Sequence, residues 1–445
     1  MATSVPVSGT ATYPRGLAMQ ILMVLVICYS VTHLVFSIRQ YNVFTHPVIG
    51  DFYRVFEEAG HLRETRVLDP RFVVHPPFYY LLLWPLTTLP FFSVARALYA
   101  LQLALFPAAV ILMVKAISDR ASPSIMEYMI AGVLTVNFQP FLETLAMYKV
   151  EGIEWFLICL AIYLFRKQRD GWTGVILMIA ANLKYLPGVL LAYFMLKREW
   201  RVLRGALIAL AACMLFLLPF FGIEGLWTFF VKYPLALLFG HAHEGTRPEA
   251  SVEFQTLQGT INRFFAGSEG MIRHVRTQEY VPVLRAGLAY AIGNLVKIPL
   301  VGGYLYYLIR RRWTLQQRQE HWQCYLIGIS LTLIMPFIVS QCSRVHYAIL
   351  LLPAFIVVGL LLYRHRAHFG WAAFLLFGLA YGLTGMLIPG GLLNRLPAHP
   401  QWGSDHSLIY LWFSLPFWGY ILLGVSLLLC ARRLSMDKVL TGEAR

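Results

Sequence analysis

The chain has 445 residues, 58% of them hydrophobic and only 13% charged, with a mean hydropathy of +0.62; soluble domains run nearer half apolar and a quarter charged, so a soluble enzyme is excluded. The formal charge of +15 falls in short Arg/Lys runs at the ends of apolar segments, which is the pattern of cytoplasmic loops against anionic lipid and not of nucleic-acid binding. Apolar runs recur along the chain, and backbone in hydrocarbon must pair internally, so the sequence predicts an all-α polytopic transmembrane bundle of roughly eleven to thirteen helices.

In chain order, Arg15 precedes the first strong apolar run, about 17–37, with no small-residue cleavage site; this reads as a retained signal-anchor helix. A polar stretch, 38–76, follows with five Arg against five acids. Within it Phe52, Val55, Phe56 and Ala59 recur at helical spacing, so a short amphipathic helix is expected on the bilayer surface, with Arg54, Glu57, Glu58 and His61 toward water. Further strong runs lie at about 94–114, 205–222, 282–309, 323–340, 347–363, 370–389 and 407–430, with shorter ones at 78–90, 124–137, 153–165, 172–183 and 187–196. The piece at 78–90 is too short to span comfortably, and the parity of 77–165 stays open. A second polar stretch, 223–281, holds six Glu against five Lys/Arg, and 225–239 within it can also lie on the surface. Neither stretch is basic in net, as external loops should be. No linker, low-complexity tract or soluble domain interrupts the chain, so 1–445 is read as one membrane domain. The six cysteines show no CxxC or metal spacing, and no Asn-x-Ser/Thr acceptor occurs, which favours a bacterial inner membrane.

Five basic runs set the topology: Arg166-Lys167-Gln168-Arg169, Lys197-Arg198 with Arg201 and Arg204, Arg310-Arg311-Arg312, Arg364-His365-Arg366 and Arg432-Arg433. With all five in the cytoplasm, every span from 205 onward alternates. Residues 172–196, however, lie between two basic runs that need the same side. A hairpin of two half-length helices resolves this, with its break at Asn182-Leu183-Lys184-Tyr185-Leu186-Pro187 and Lys184 at the tip. Broken helices at membrane depth occur where they line a cavity or are buried in protein, and an ionisable residue there is a functional candidate; a snorkelling lysine is the plainer alternative. Lys297, inside 282–309, reads as structural or snorkelling.

A bundle of this kind can be a transporter, a channel or a transferase acting on lipid-linked substrates. The two halves show no internal repeat of the transporter kind, no repeated pore motif appears, and the acids lie mostly near loops, Glu127 and Glu154 excepted. Glycosyl transfer from a lipid carrier needs a carboxylate to take a proton from the acceptor hydroxyl, cationic or hydrogen-bonding groups for the leaving phosphate, and an apolar groove. Asp51, in Ile49-Gly50-Asp51-Phe52-Tyr53 after the first span, suits the first role, although Asp is also a favoured helix N-cap; Glu57, Glu58 and Glu151 are the other candidates. Lys184, Arg344, His346 and Arg263 suit the second. The aromatics of Pro76-Pro77-Phe78-Tyr79-Tyr80 and Trp84 suit the third.

In order along the chain, these residues resemble glycosyltransferase family 87, the polyprenol-phosphate-mannose-dependent mannosyltransferases of membrane GT-C architecture. The resemblance rests on Asp51-Phe52-Tyr53 after the first helix; His75-Pro76-Pro77-Phe78 leading into the next; Lys184-Tyr185-Leu186-Pro187 in a broken helix with Arg198-Glu199-Trp200-Arg201 after it; the stretch from Gln255 through Asn262 to Arg263; and the turn Ser340-Gln341-Cys342-Ser343-Arg344-Val345-His346-Tyr347 before Leu352-Pro353. It implies an inverting transferase on the outer face of the membrane, moving a hexose such as mannose from a polyprenyl-phosphate donor to a glycolipid or glycan acceptor. By this resemblance Asp51 is the general base, His346 with Lys184 contacts the donor phosphate, and Gln255 and Arg263 line the donor or acceptor region; Arg344, by its charge, is a further candidate for the phosphate, and Asn262, His75 and Tyr53 are further candidates for substrate binding. No cofactor or metal is expected, although some related membrane enzymes use a divalent ion. The chain departs from the family where Gln341 and Arg344 replace the usual Pro and Trp, and where Lys149-Val150-Glu151-Gly152 replaces a Gly-Gln pair. The other readings are a lipid or solute transporter whose cavity holds Lys184 and His346, and an O-antigen polymerase or ligase type enzyme with its decisive groups in 223–281.

Overall fold

The computed structural model describes residues 24–35, 51–66, 68, 75–118, 122–232, 255–262, 286–310, 318–319, 321–340, 344–385 and 414–440. Among them there is no strand; the chain is an all-α polytopic bundle. Its helices are α1 (Val24–Val35), α2 (Asp51–Thr65), α3 (Pro77–Leu83), α4 (Phe91–Ile117), α5 (Ile125–Val136), α6 (Gln139–Ala146), α7 (Glu151–Arg166), α8 (Asp170–Leu183), α9 (Val189–Leu196), α10 (Trp200–Trp227), α11 (Leu257–Ile261), α12 (Ala286–Arg310), α13 (Trp322–Val339), α14 (Leu352–Arg364), α15 (Trp371–Thr384) and α16 (Leu415–Leu440). Among the described residues, six segments are long and apolar enough to cross a membrane: α4, α10, α12, α13, α14 with the turn before it, and α16. The pair α5–α6, bent by 63°, adds a seventh as one broken span. Pro140, near the start of α6, has no N–H to give the carbonyl of Val136, so α5 cannot run on and the chain turns there.

Within 77–165, α3 at seven residues is too short to span, α4 is long and apolar enough to cross, and α5–α6 reaches that length only as a bent pair. The ends of these helices are pinned by buried charge. Arg364, closing α14, donates from Nε to Glu127 Oε1 at 2.6 Å and from Nη1 to the Ile117 carbonyl at the end of α4 at 2.7 Å. Glu127 is also the third residue of α5, where it forms a capping box with Ser124. Trp322, opening α13, donates to the Ala116 carbonyl at 2.6 Å. The C-termini of α4 and α14 and the N-termini of α5 and α13 therefore share one end of the bundle, together with Arg166 and Lys167 at the end of α7. This is the basic end.

The hairpin expected between two basic runs is present. Arg318 grips Asp170, the first residue of α8, through both guanidinium nitrogens at 2.9 and 3.3 Å, and lies 3.7 Å from Glu199, just beyond α9. Both feet of the hairpin thus return to one buried arginine, whose guanidinium also stacks over Phe165. Burial pushes the Glu199 carboxyl above its usual range, with Arg318 opposing the shift. The tip forms because Pro187 lacks the N–H that would bond to Leu183 and its ring would collide with that carbonyl; α8 stops at Leu183, Lys184 is extended (φ −157°, ψ 143°), and a short 3₁₀ turn over Leu186–Gly188 leads into α9. The fourteen residues of α8 lift the tip about 21 Å from the basic end.

Small residues let α8 lie directly on α10. A Cβ on Gly174 would come within 1.8 Å of the Val202 carbonyl oxygen, and one on Gly205 within 2.0 Å of that of Gly171. This is the close backbone approach by which membrane helices associate without a hydrophobic driving force.

One expectation changes in detail. Helix α2 forms where the spacing placed it, but Phe52, Val55, Ala59 and Leu62 are buried in protein, not laid on lipid. Phe52 stacks on Phe91 and meets Tyr148, and Tyr53 and Phe56 pack edge-on against Phe91. Arg54, Glu57 and His61 face outward as expected, whereas Glu58 is half-buried.

Candidate active site

At the end of the bundle opposite the basic runs, three chain breaks converge. The first is the turn between α6 and α7. Tyr148 adopts φ +52° there while fully buried between Phe52 and Tyr99. A left-handed tyrosine costs about 1–2 kcal/mol and persists only where its surroundings fix it. The conformation turns the chain so that Lys149, whose carbonyl accepts from Gln102 at 2.9 Å, precedes Glu151 at the first position of α7. The second break is the hairpin tip carrying Lys184. The third is the 3₁₀ turn Val345–Leu351 ahead of α14, which carries His346.

These breaks bring one carboxylate oxygen against two nitrogen groups. Glu151 Oε1 accepts from Lys184 Nζ at 2.5 Å and lies 3.5 Å from His346 Nε2. On the other side of the imidazole, Nδ1 is 3.8 Å from Glu143 Oε1 on α6. The Lys184 ammonium also sits 3.8 Å from the centroid of the Tyr347 ring, a contact that favours the cation. The Glu151 side chain is 3% exposed and that of Lys184 13%. Glu154, one turn further along α7, is fully buried, and neither of its oxygens has a hydrogen-bond partner; it and Lys184 interact electrostatically, as do Lys149 and Glu151. A buried cation flanked by carboxylates holds its charge because the pair offsets the desolvation that would otherwise neutralise it.

His75 completes this end. Its Nδ1 is 3.1 Å from the Leu183 carbonyl, the same carbonyl that Pro187 orphans. A carbonyl only accepts, so Nδ1 carries a proton. The ring packs on Tyr79 and Tyr80, and Tyr79 interacts electrostatically with both Glu151 and Glu154.

The structure therefore gathers Lys184, His346 and His75 around the hairpin tip. Asp51 is the first residue of α2, whose next residue, Phe52, touches the Tyr148 turn; the Asp51 side chain lies outside the described residues, as does Arg263. Tyr53 packs on Phe91, and Glu57 beside it raises its phenol pKa by hydrogen bonding and like charge, with burial adding to the shift. Arg344 stands just before the 3₁₀ turn, half-buried. Gln255 and Asn262 are buried at either end of α11, where Asn262 accepts from Gln258 at 2.8 Å and Gln258 also reaches the Ala289 carbonyl on α12 at 3.3 Å. That is a second polar cluster, built by different helices. Among the described residues no group of three or more His, Cys, Asp or Glu is placed to hold a metal ion.

The sequence offers Glu151 only as a spare base and Glu154 only as an acid away from the loops, and it gives no sign of Glu143. The available signal was the departure at Lys149-Val150-Glu151-Gly152, which falls in the middle of the cluster. Spacing along the chain could not show that Glu151 and Lys184, 33 residues apart, would meet.

A bundle of apolar helices with a charged, broken-helix end is a multi-pass membrane protein with a site held at one face. In comparison with known families, the family model described as Glycosyltransferase family 87 matches residues 72–272. That stretch runs from α3 to α11 and includes Glu151 and Lys184; it supports glycosyltransferase family 87 and a glycosyltransferase activity for the chain. No curated protein matches the chain.

Proposed function

We propose that the protein is an inverting hexosyltransferase that takes its sugar, a hexose such as mannose, from a polyprenyl-phosphate donor and passes it to a glycolipid or glycan hydroxyl on the outer face of the bacterial inner membrane. The observation that carries this reading is the buried Lys184 ammonium beside the His346 ring, held at the end of the bundle away from the Arg/Lys runs. Asp51 takes the acceptor proton. The acceptor oxygen attacks the anomeric carbon from the side opposite the phosphate, and the carbon–oxygen bond to the phosphate breaks. The bonding pair leaves on the phosphate as polyprenyl phosphate, whose added negative charge Lys184 and His346 stabilise, with Arg344 beside them. His75, Tyr53, Gln255, Asn262 and Arg263 bind the sugars. No cofactor or metal enters the scheme.

The test is release of polyprenyl phosphate by purified protein in detergent, given a polyprenyl-phosphate sugar and candidate glycolipid acceptors. Wild-type protein should transfer, and Asp51→Asn should lower kcat by about 10²–10⁴-fold, the usual contribution of a general base, while purifying and melting as wild type. Full turnover in Asp51→Asn removes Asp51 from the mechanism. A transporter would release no polyprenyl phosphate in a single compartment.

A further inference from the structure

The group contacting both Lys184 and His346 is itself an anion. Glu151 places a single oxygen against the ammonium and the imidazole, and that is the position a phosphate oxygen must take to meet the same two groups. The carboxylate is buried and fixed at the head of α7 by the Tyr148 turn and by Gly152, where a Cβ would come within 2.6 Å of Gln102. Its neighbour Glu154 lies one turn on, buried and without a hydrogen-bond partner, so Lys184 keeps an acid beside it when Glu151 is displaced.

We infer that Glu151 is a resident counter-ion of the phosphate site, a positioning residue that the donor phosphate displaces and that returns to Lys184 and His346 to expel the product. The inference rests on the proposed transfer and deepens it. Breaking the glycosyl bond converts a phosphodiester with one negative charge into a phosphomonoester with up to two. The product would then bind Lys184 and His346 more tightly than the substrate and keep the site occupied. A carboxylate that competes for the same pair opposes product more than it opposes substrate turnover, because it refills the site as the phosphate leaves.

A purely structural Glu151 and a competing Glu151 predict opposite signs. On the competing view, Glu151→Gln removes the rival anion. Farnesyl phosphate, as the product probe, should then bind tighter by on the order of tenfold, roughly 1.4 kcal/mol. The KM for the donor should fall, and kcat should fall with it as release slows, giving a burst of product in the first turnover. Glu151→Asp, with the charge retained on a shorter arm, should bind farnesyl phosphate more tightly than wild type but less tightly than Glu151→Gln, and it serves as the test variant against wild type if Glu151→Gln does not purify. Its farnesyl phosphate affinity should then exceed the wild-type value. Equal or weaker binding of farnesyl phosphate in the tested variant overturns the counter-ion role. Wild-type protein that releases no polyprenyl phosphate from the donor overturns the transfer reading instead, so the two failures are distinct.

Discussion

At the scale of single residues, the site is a balance of buried charges, and the balance differs on its two sides. Lys184 faces Glu151 by hydrogen bond and Glu154 through space. Removing the lysine takes the hydrogen-bonded cation from the buried Glu151 carboxylate, whereas removing Glu151 leaves the lysine Glu154 and the Tyr347 ring. Lys184→Met should therefore be the more damaging change, lowering stability by about 3–5 kcal/mol, the cost of leaving buried charge uncompensated. Lys184→Met combined with Glu151→Gln removes charge from both partners, and most of the loss should come back, because a neutral pair avoids the desolvation that the ions must overcome. Thermal unfolding in detergent reads both. Donor turnover should stay lost in the double variant, which separates the role of Lys184 in folding from its role toward phosphate. A double variant that recovers turnover along with stability would deny Lys184 any contact with the donor.

At the scale of elements, the hairpin of α8 and α9 is the device that lifts Lys184 to the site, and much of it can be read from the sequence. Pro187 fixes where α8 stops, and the flanking basic runs require both feet on one side. The staple that holds the feet could not be read: Arg318 lies 148 residues from Asp170, and nothing local links them. The glycine contacts with α10 were equally silent, because Gly171, Gly174 and Gly205 look alike in the chain while only the packed structure distinguishes them. Gly174→Ala and Gly205→Ala place a methyl group against backbone of the facing helix and should each cost about 1–3 kcal/mol, the range for overpacking. Gly171→Ala meets nothing within 4 Å and should be neutral or stabilising, by up to about 1 kcal/mol from helix propensity. Melting temperatures of the three variants check the contrast; equal losses at all three sites would mean that α8 and α10 do not approach as closely as described.

At the scale of the whole molecule, the hydropathy runs at 94–114, 205–222, 282–309, 323–340, 347–363 and 407–430 match the six spanning segments among the described residues, because hydrocarbon leaves a chain few options, whereas the site depended on where three chain breaks meet. Those breaks share one end, and the Arg/Lys runs mark the other. The sixteen residues of α7 separate Glu151 from Arg166 by about 24 Å, most of the way across the hydrocarbon. If the basic runs obey the positive-inside rule, the Lys184–Glu151–His346 cluster opens on the extracytoplasmic side, where a lipid-linked sugar would have to be presented. Glu64, near the end of α2 with its side chain 70% exposed, and Gln168, exposed in the turn between α7 and α8, sit on the two sides of this division. With the six native cysteines replaced, Glu64→Cys should react with a membrane-impermeant maleimide in intact spheroplasts, and Gln168→Cys should react only after the membrane is opened. The reverse pattern would turn the protein over. The donor would then have to enter from the cytoplasmic leaflet, and the basic runs would need another explanation than topology. Labelling of both positions in intact cells would be stronger still, since α7 could not then cross between them and the broken helices around Lys184 would lie at a surface, where water and not Glu151 would compensate the lysine.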